Sequence, residues 1–319
     1  MLKRLAAALC VSVGLYGSAW AQDPDIVVVG ERLEQLTSSF VEEVSVPSLR
    51  EDQLARWNEV ICVGAVGLSP ADAQLLVDRI SMRAGAVGMR LGQPGCRANV
   101  MVIYAPDSDT LTRQIVEQRP ELLGYYSNDA VSTGGRDGLE DFANTPRPVR
   151  WWHVARNVTM DGRLLDNPNT QPAAGGAEAA AASAAVAAGL PPTGLGSASG
   201  AQVVRSLGSR LSRTTRQDMN YVLVIVDAAR VAEIPANSWF DYVAMVSLAQ
   251  IDPNATPSEI PSILNLFTSA AETAPNEMTS WDLAYLSGLY RATREAVNSR
   301  QQRSEIQRSM VSTLTSDGH

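Results

Sequence analysis

Lysine is almost missing from this chain: of its 26 basic residues 25 are arginine, and the one lysine is Lys3. Lys3 falls in a segment read below as a cleaved leader, so the mature chain is expected to contain no lysine. That excludes chemistry resting on a lysine amine: Schiff-base and pyridoxal-phosphate catalysis, phosphate-cradle NTPases, lysine-dependent kinases and Ser-Lys hydrolases. Histidine is nearly as scarce, with only His153 and the terminal His319. This argues against zinc centres and acid–base machinery built on several histidines. Past the leader, no apolar run approaches the ~20 residues of a spanning helix. The expectation is therefore no cofactor, no metal and no membrane span after cleavage. Carboxylate chemistry or a non-catalytic binding role survives.

What is present begins with a tripartite leader. Lys3 and Arg4 are followed by a short apolar stretch, and Ala19-Trp20-Ala21 has the A-x-A form of a cleavage site. Cleavage after Ala21 leaves 24 arginines against 34 acids, a charge of −10. Such a surface repels phosphate backbones, so no nucleic-acid partner is expected. Lysine absence beside abundant Ala, Arg and Gly indicates a GC-rich bacterial genome, which places the mature chain in the periplasm or outside the cell. Two cysteines remain there, Cys62 and Cys96. In an oxidising compartment an isolated pair reads as a structural disulfide, since a redox-active pair usually has C-x-x-C spacing.

Composition divides the rest. Residues 22–56 are polar with one short apolar island, read as a strand formed by Ile26, Val27, Val28 and Val29. Residues 57–166 form a first globular block. Residues 167–202 are low in complexity, with 13 alanines plus Gly, Ser and Pro191-Pro192, and read as a disordered insertion or linker. Residues 203–315 form a second, mainly helical block. In the first block, residues 59–63 and 99–104 read as strands around a helix begun by Ser69-Pro70-Ala71-Asp72. A helix near Asp109 and a strand over 150–159 follow. In the second, a strand over 221–226 leads to a helix over 236–250 that is apolar nearly all round, then to a capping box at Thr256-Pro257-Ser258-Glu259. A last helix is capped by Thr279, and a polar tail lies beyond Asn298. The fold class is α/β or α+β: a small mixed sheet with packed helices and a long disordered Ala-rich insertion.

Two resemblances touch on role. The stretch Asp25-Ile26-Val27-Val28-Val29-Gly30 through Leu33 resembles the start of the plug domain of TonB-dependent outer-membrane receptors, although no barrel follows. The order of strand, buried helix and short helices in the second block resembles zincin-like folds. The matching helix reads Ala244-Met245-Val246-Ser247-Leu248 where those folds carry H-E-x-x-H, so no peptidase site is implied.

Other candidate chemistry is thin. His153 follows Trp151 and Trp152 in a strand and reads as a packed residue; the tryptophan pair is a candidate exposed aromatic surface for a sugar or peptide. Asp137, Glu140 and Asp141 form an acidic loop without calcium-site alternation, and Asp107 and Asp109 read as helix caps. No catalytic, cofactor or metal residue is assigned. The expected role is a secreted, non-catalytic cell-envelope interaction protein, meeting an envelope partner through its N-terminal strand or its aromatic surface. The alternatives are a carboxylate-dependent hydrolase of envelope polysaccharide or peptide, and a metal-free zincin-like protein.

Overall fold

The computed structural model describes residues 24–47, 52–124, 131–132, 134–162, 213–268 and 270–316. The segment expected to be a leader, residues 1–21, and the Ala-rich segment, residues 167–202, lie outside the described residues. In chain order the elements are α1 (Pro24–Val44), β1 (Val63–Val66), α2 (Pro70–Ala86), β2 (Val100–Ala105), α3 (Ser108–Gln118), β3 (Val131–Ser132), α4 (Gly135–Asn144), β4 (Val149–Thr159), β5 (Thr215–Asp227), α5 (Ala236–Leu248), α6 (Ser280–Arg291) and α7 (Ser299–Ser316).

The strands form one mixed sheet in the order β1-β2-β5-β4-β3. β1, β2 and β5 are parallel, while β4 runs antiparallel to β5 and β3 antiparallel to β4. β5, from the second block, thus lies between β2 and β4 from the first, and the two blocks build a single sheet.

Alternation along the strands gives each face its own core. Val100, Val102, Val149, Trp151, Val222, Val224 and Val226 pack toward α2 and α5. Trp152, Val154, Leu223 and Ile225 point the other way, where Ile115 of α3 and Phe142 of α4 cover them. α5 is buried on every side, as its continuous apolar sequence requires. α2 begins as read: the Ser69 side chain accepts from the Asp72 amide and Pro70 occupies the first turn. Asp107 caps α3 by accepting from the Thr110 amide at 3.0 Å. Thr279 and Asp282 close a capping box on α6. Cys62 and Cys96 are joined by a disulfide, which ties the approach to β1 to the loop before β2.

Four readings need correction. Ile26, Val27, Val28 and Val29 are not a strand; they lie in α1. β-Branched residues disfavour helix only weakly, and docking of an amphipathic face outweighs that preference. Thr37, Phe40, Val41 and Val44 of α1 are all buried, and Phe40 meets Tyr285 of α6 edge-on with ring centres 5.8 Å apart. The polar tail is not a solvated segment but the packed helix α7, anchored by buried Ile306 and Met310. The other buried positions of that stripe are Ser299 and Gln302, so composition does not reveal it. The helix expected after Thr256 is a turn followed by a 3-10 segment, Ile263–Phe267, whose cap is Ser262. Finally, the first strand is Val63–Val66 rather than 59–63, because backbone pairing with Val100–Ile103 begins at Val63.

Candidate functional site

A concave feature lined by aromatic and charged side chains lies along the outer edge of β4. β3 pairs only with Ala155 and Arg156, so Val149–Val154 has no strand partner on that side among the described residues. The Asp227 amide donates to the Pro148 carbonyl at 2.8 Å, which sets the phase of the ladder. By antiparallel alternation, Arg150, Trp152 and Val154 then direct their backbone groups at β5, while Trp151 and His153 direct theirs outward. Beside this edge is a crevice of about 80 Å³. Phe142, Trp152 and Gly138 form one wall; Trp151, Ile251 and Pro253 form the other.

The tryptophans are therefore not an exposed surface. Trp151 is 6% and Trp152 3% exposed, because the strand that carries them is covered on both faces. Their indole N–H groups are satisfied inside, Trp151 on the Ile251 carbonyl at 3.2 Å and Trp152 on the Leu123 carbonyl at 3.1 Å. Trp152 also packs on Phe142, with ring centres 5.6 Å apart. They wall a crevice rather than display a platform.

Four ionisable side chains line it. Asp141 accepts from both terminal nitrogens of Arg147, at 2.8 and 3.2 Å, and from the Thr145 hydroxyl at 2.6 Å. Burial would raise its pKa, but Arg147 and Thr145 together outweigh it and hold the carboxyl below its usual value. Arg150 is almost wholly buried. One terminal nitrogen donates to the Phe142 carbonyl at 3.2 Å and the other to Asp109, while its Nε–H, sealed from solvent, has no partner among the described residues. Burial lowers the Arg150 pKa and Asp109 opposes the shift.

His153 donates from Nε2 to the Val246 carbonyl at 2.7 Å. A carbonyl can only accept, so the proton resides on Nε2 and the Nδ1 lone pair is free of it. Burial drives the His153 pKa down to about 4, against the bond to Val246, so the ring is neutral at physiological pH.

The acidic candidates do not converge. Asp109 lies behind Arg150 and also binds Arg230 at 2.7 Å; that bond, more than any other contact, depresses its pKa. Arg230 and Ser108 hold Asp227 at 3.0 and 2.7 Å. Asp137 and Glu140 are on the solvent face of α4, away from the crevice that Asp141 enters. Among the described residues no group of three or more His, Cys, Asp or Glu is arranged to hold a metal ion.

Arg147, Arg150 and Gly138 carry the site, and the sequence reading missed them. The available signal was Arg150 itself, a charged residue opening the strand Arg150-Trp151-Trp152-His153 whose neighbours are all core types. Comparison with protein-family models, with curated proteins and with solved structures gave no match to this chain.

Proposed function

We propose that this is a secreted, periplasmic or extracellular interaction protein of the cell envelope that holds a small group of its partner in the β4-edge crevice without transforming it. One observation carries the reading: Asp141, the crevice's lining carboxylate among the described residues, has both oxygens engaged by Arg147 and Thr145. Hydrolysis by paired carboxylates needs two such groups about 5–10 Å apart across the substrate, one kept protonated by a raised pKa. Asp141 has the opposite shift. The leader supports an envelope location, and no helix among the described residues is long and apolar enough to cross a membrane.

The reading predicts binding without turnover. Incubation with peptidoglycan and with envelope peptides, followed by mass spectrometry, should release no product beyond the background of an Asp141→Asn variant. Steady product release that the variant abolishes would establish the hydrolase instead.

A further inference from the structure

The crevice straddles a strand edge. The side chains of Arg150 and Trp152 leave β4 on the face covered by α3 and α4, where Arg150 reaches the Phe142 carbonyl. Those of Trp151 and His153 leave it on the opposite face, where His153 reaches the Val246 carbonyl of α5. All four residues line the same crevice. Its walls therefore come from the two faces of the sheet, and the backbone edge of β4 runs along its floor. Gly134, beside Trp152 on one wall, and Pro253 on the other are exposed, so the crevice opens to solvent.

What the floor presents is backbone. The ladder to β5 turns the amide and carbonyl of Trp151 and of His153 outward, and none of these four groups has a hydrogen-bond partner among the described residues. Backbone groups of residues as buried as these are almost always paired. The two donor–acceptor pairs are ~7 Å apart, the two-residue repeat of a strand. They also continue the line in which β3 already pairs with Ala155 and Arg156. The complement of such a row is another strand. A second copy of this chain cannot supply it from the same edge, since that edge is recessed between the same two walls. We infer that the crevice takes an extended peptide segment of a partner protein by strand addition, its backbone bonded to Trp151 and His153. Phe142, Trp152 and Gly138 then flank the segment's middle side chain, which favours an apolar residue there. The backbone row selects no charge. This assignment rests on the binding reading above and adds the chemistry of the partner.

The test is a titration of the isotope-labelled protein with the blocked tripeptide acetyl-Thr-Val-Thr-amide, followed through the backbone amide resonances of Trp151 and His153. Both resonances are expected to shift saturably. The two threonines set their N–H and C=O groups against the β4 edge, and the valine N–H points away from it. N-methylation of both threonine nitrogens should therefore weaken binding at least ~10-fold, since two bonds are lost and two carbonyls are left unpaired. N-methylation of the valine should cost far less. Gly138→Leu should abolish the response by filling the space for the valine. If that variant fails to fold, the three peptides on the wild-type chain decide alone. Equal binding of all three would overturn strand addition, and so would absence of any response up to about 10 mM. Shifts of the same two amides on concentrating the free protein would also overturn it, by giving the edge to a second copy. Aromatic fragments that bind where the peptide does not would refute the strand and leave the crevice as the binding site.

Discussion

His153 shows how one position can be legible in kind but not in consequence. Its place beside two tryptophans in an apolar strand marks it as a packed residue, and it is buried with Nε2 on the Val246 carbonyl. What only the structure supplies is the environment that takes its pKa to about 4. The unfolded chain binds a proton near pH 6.5 and the folded chain does not, so stability is complete above that value and is lost as pH falls toward 4. The loss amounts to about 3 kcal/mol across that window. Asp282, whose pKa burial raises, acts in the opposite sense. The informative quantity is therefore the difference between wild type and His153→Phe. Denaturant melts from pH 7 to 4.5 should show a steeper decline in the wild type; parallel curves would mean that the histidine is protonated in the fold. Arg150 is the contrasting case. An arginine between Val149 and Trp151 in a strand signals something, but the aromatic walls around it come from residues scattered across β4, α4 and the segment after α5, which no local pattern connects.

Among the elements, those fixed by short-range chemistry were readable. Ser69-Pro70-Ala71-Asp72 starts α2, Asp107 starts α3, and the β-branched run from Val100 makes β2. α1 and α7 were not readable as packed helices, because each gains its stability by docking on the other and on α6. In α1 the β-branched run Val27, Val28 and Val29 also pointed to a strand. Among the residues of α1 whose burial is described, Gly30 to Leu36 are exposed or half-buried, while Thr37, Phe40, Val41 and Val44 are buried. Deleting residues 22–33 should therefore cost less than Phe40→Ala, for which a loss of about 3–5 kcal/mol is expected. Thermal and urea melts of the two variants check this ordering. A deletion more damaging than the substitution would mean that the helix depends on its first turns.

At the scale of the molecule, composition suggested two blocks separated by an alanine-rich segment and left open whether they share one domain; the strands of both enter one sheet with β5 at its centre. Composition cannot reveal this, since β5 enters the sheet by pairing with β2, more than a hundred positions earlier in the chain. The disulfide was legible, since the two cysteines beyond the expected leader have one partner each. Closing a loop of 34 residues' separation is worth about 4 kcal/mol on the chain-entropy model. Gly92 packs so closely on Cys96 that a Cβ there would collide with the sulfur and press on the Ile61 carbonyl. Gly92→Ala should therefore lower stability in oxidised protein by more than in reduced protein. Non-reducing mass spectrometry should find Cys62 joined to Cys96 in the secreted wild type, and free thiols there would contradict the assignment.

The central claim is that the β4-edge crevice is where this protein binds. A Cβ at Gly138 would meet only the Trp152 ring, at an ordinary 3.8 Å, so a larger side chain there can fill the crevice without breaking the core. The direct measurement is ligand-observed NMR of a fragment mixture against the wild type and Gly138→Leu, with melts confirming that both are folded. Aromatic fragments should bind the wild type and be lost from the variant. Binding that persists unchanged in Gly138→Leu, or no fragment binding to either, would contradict it.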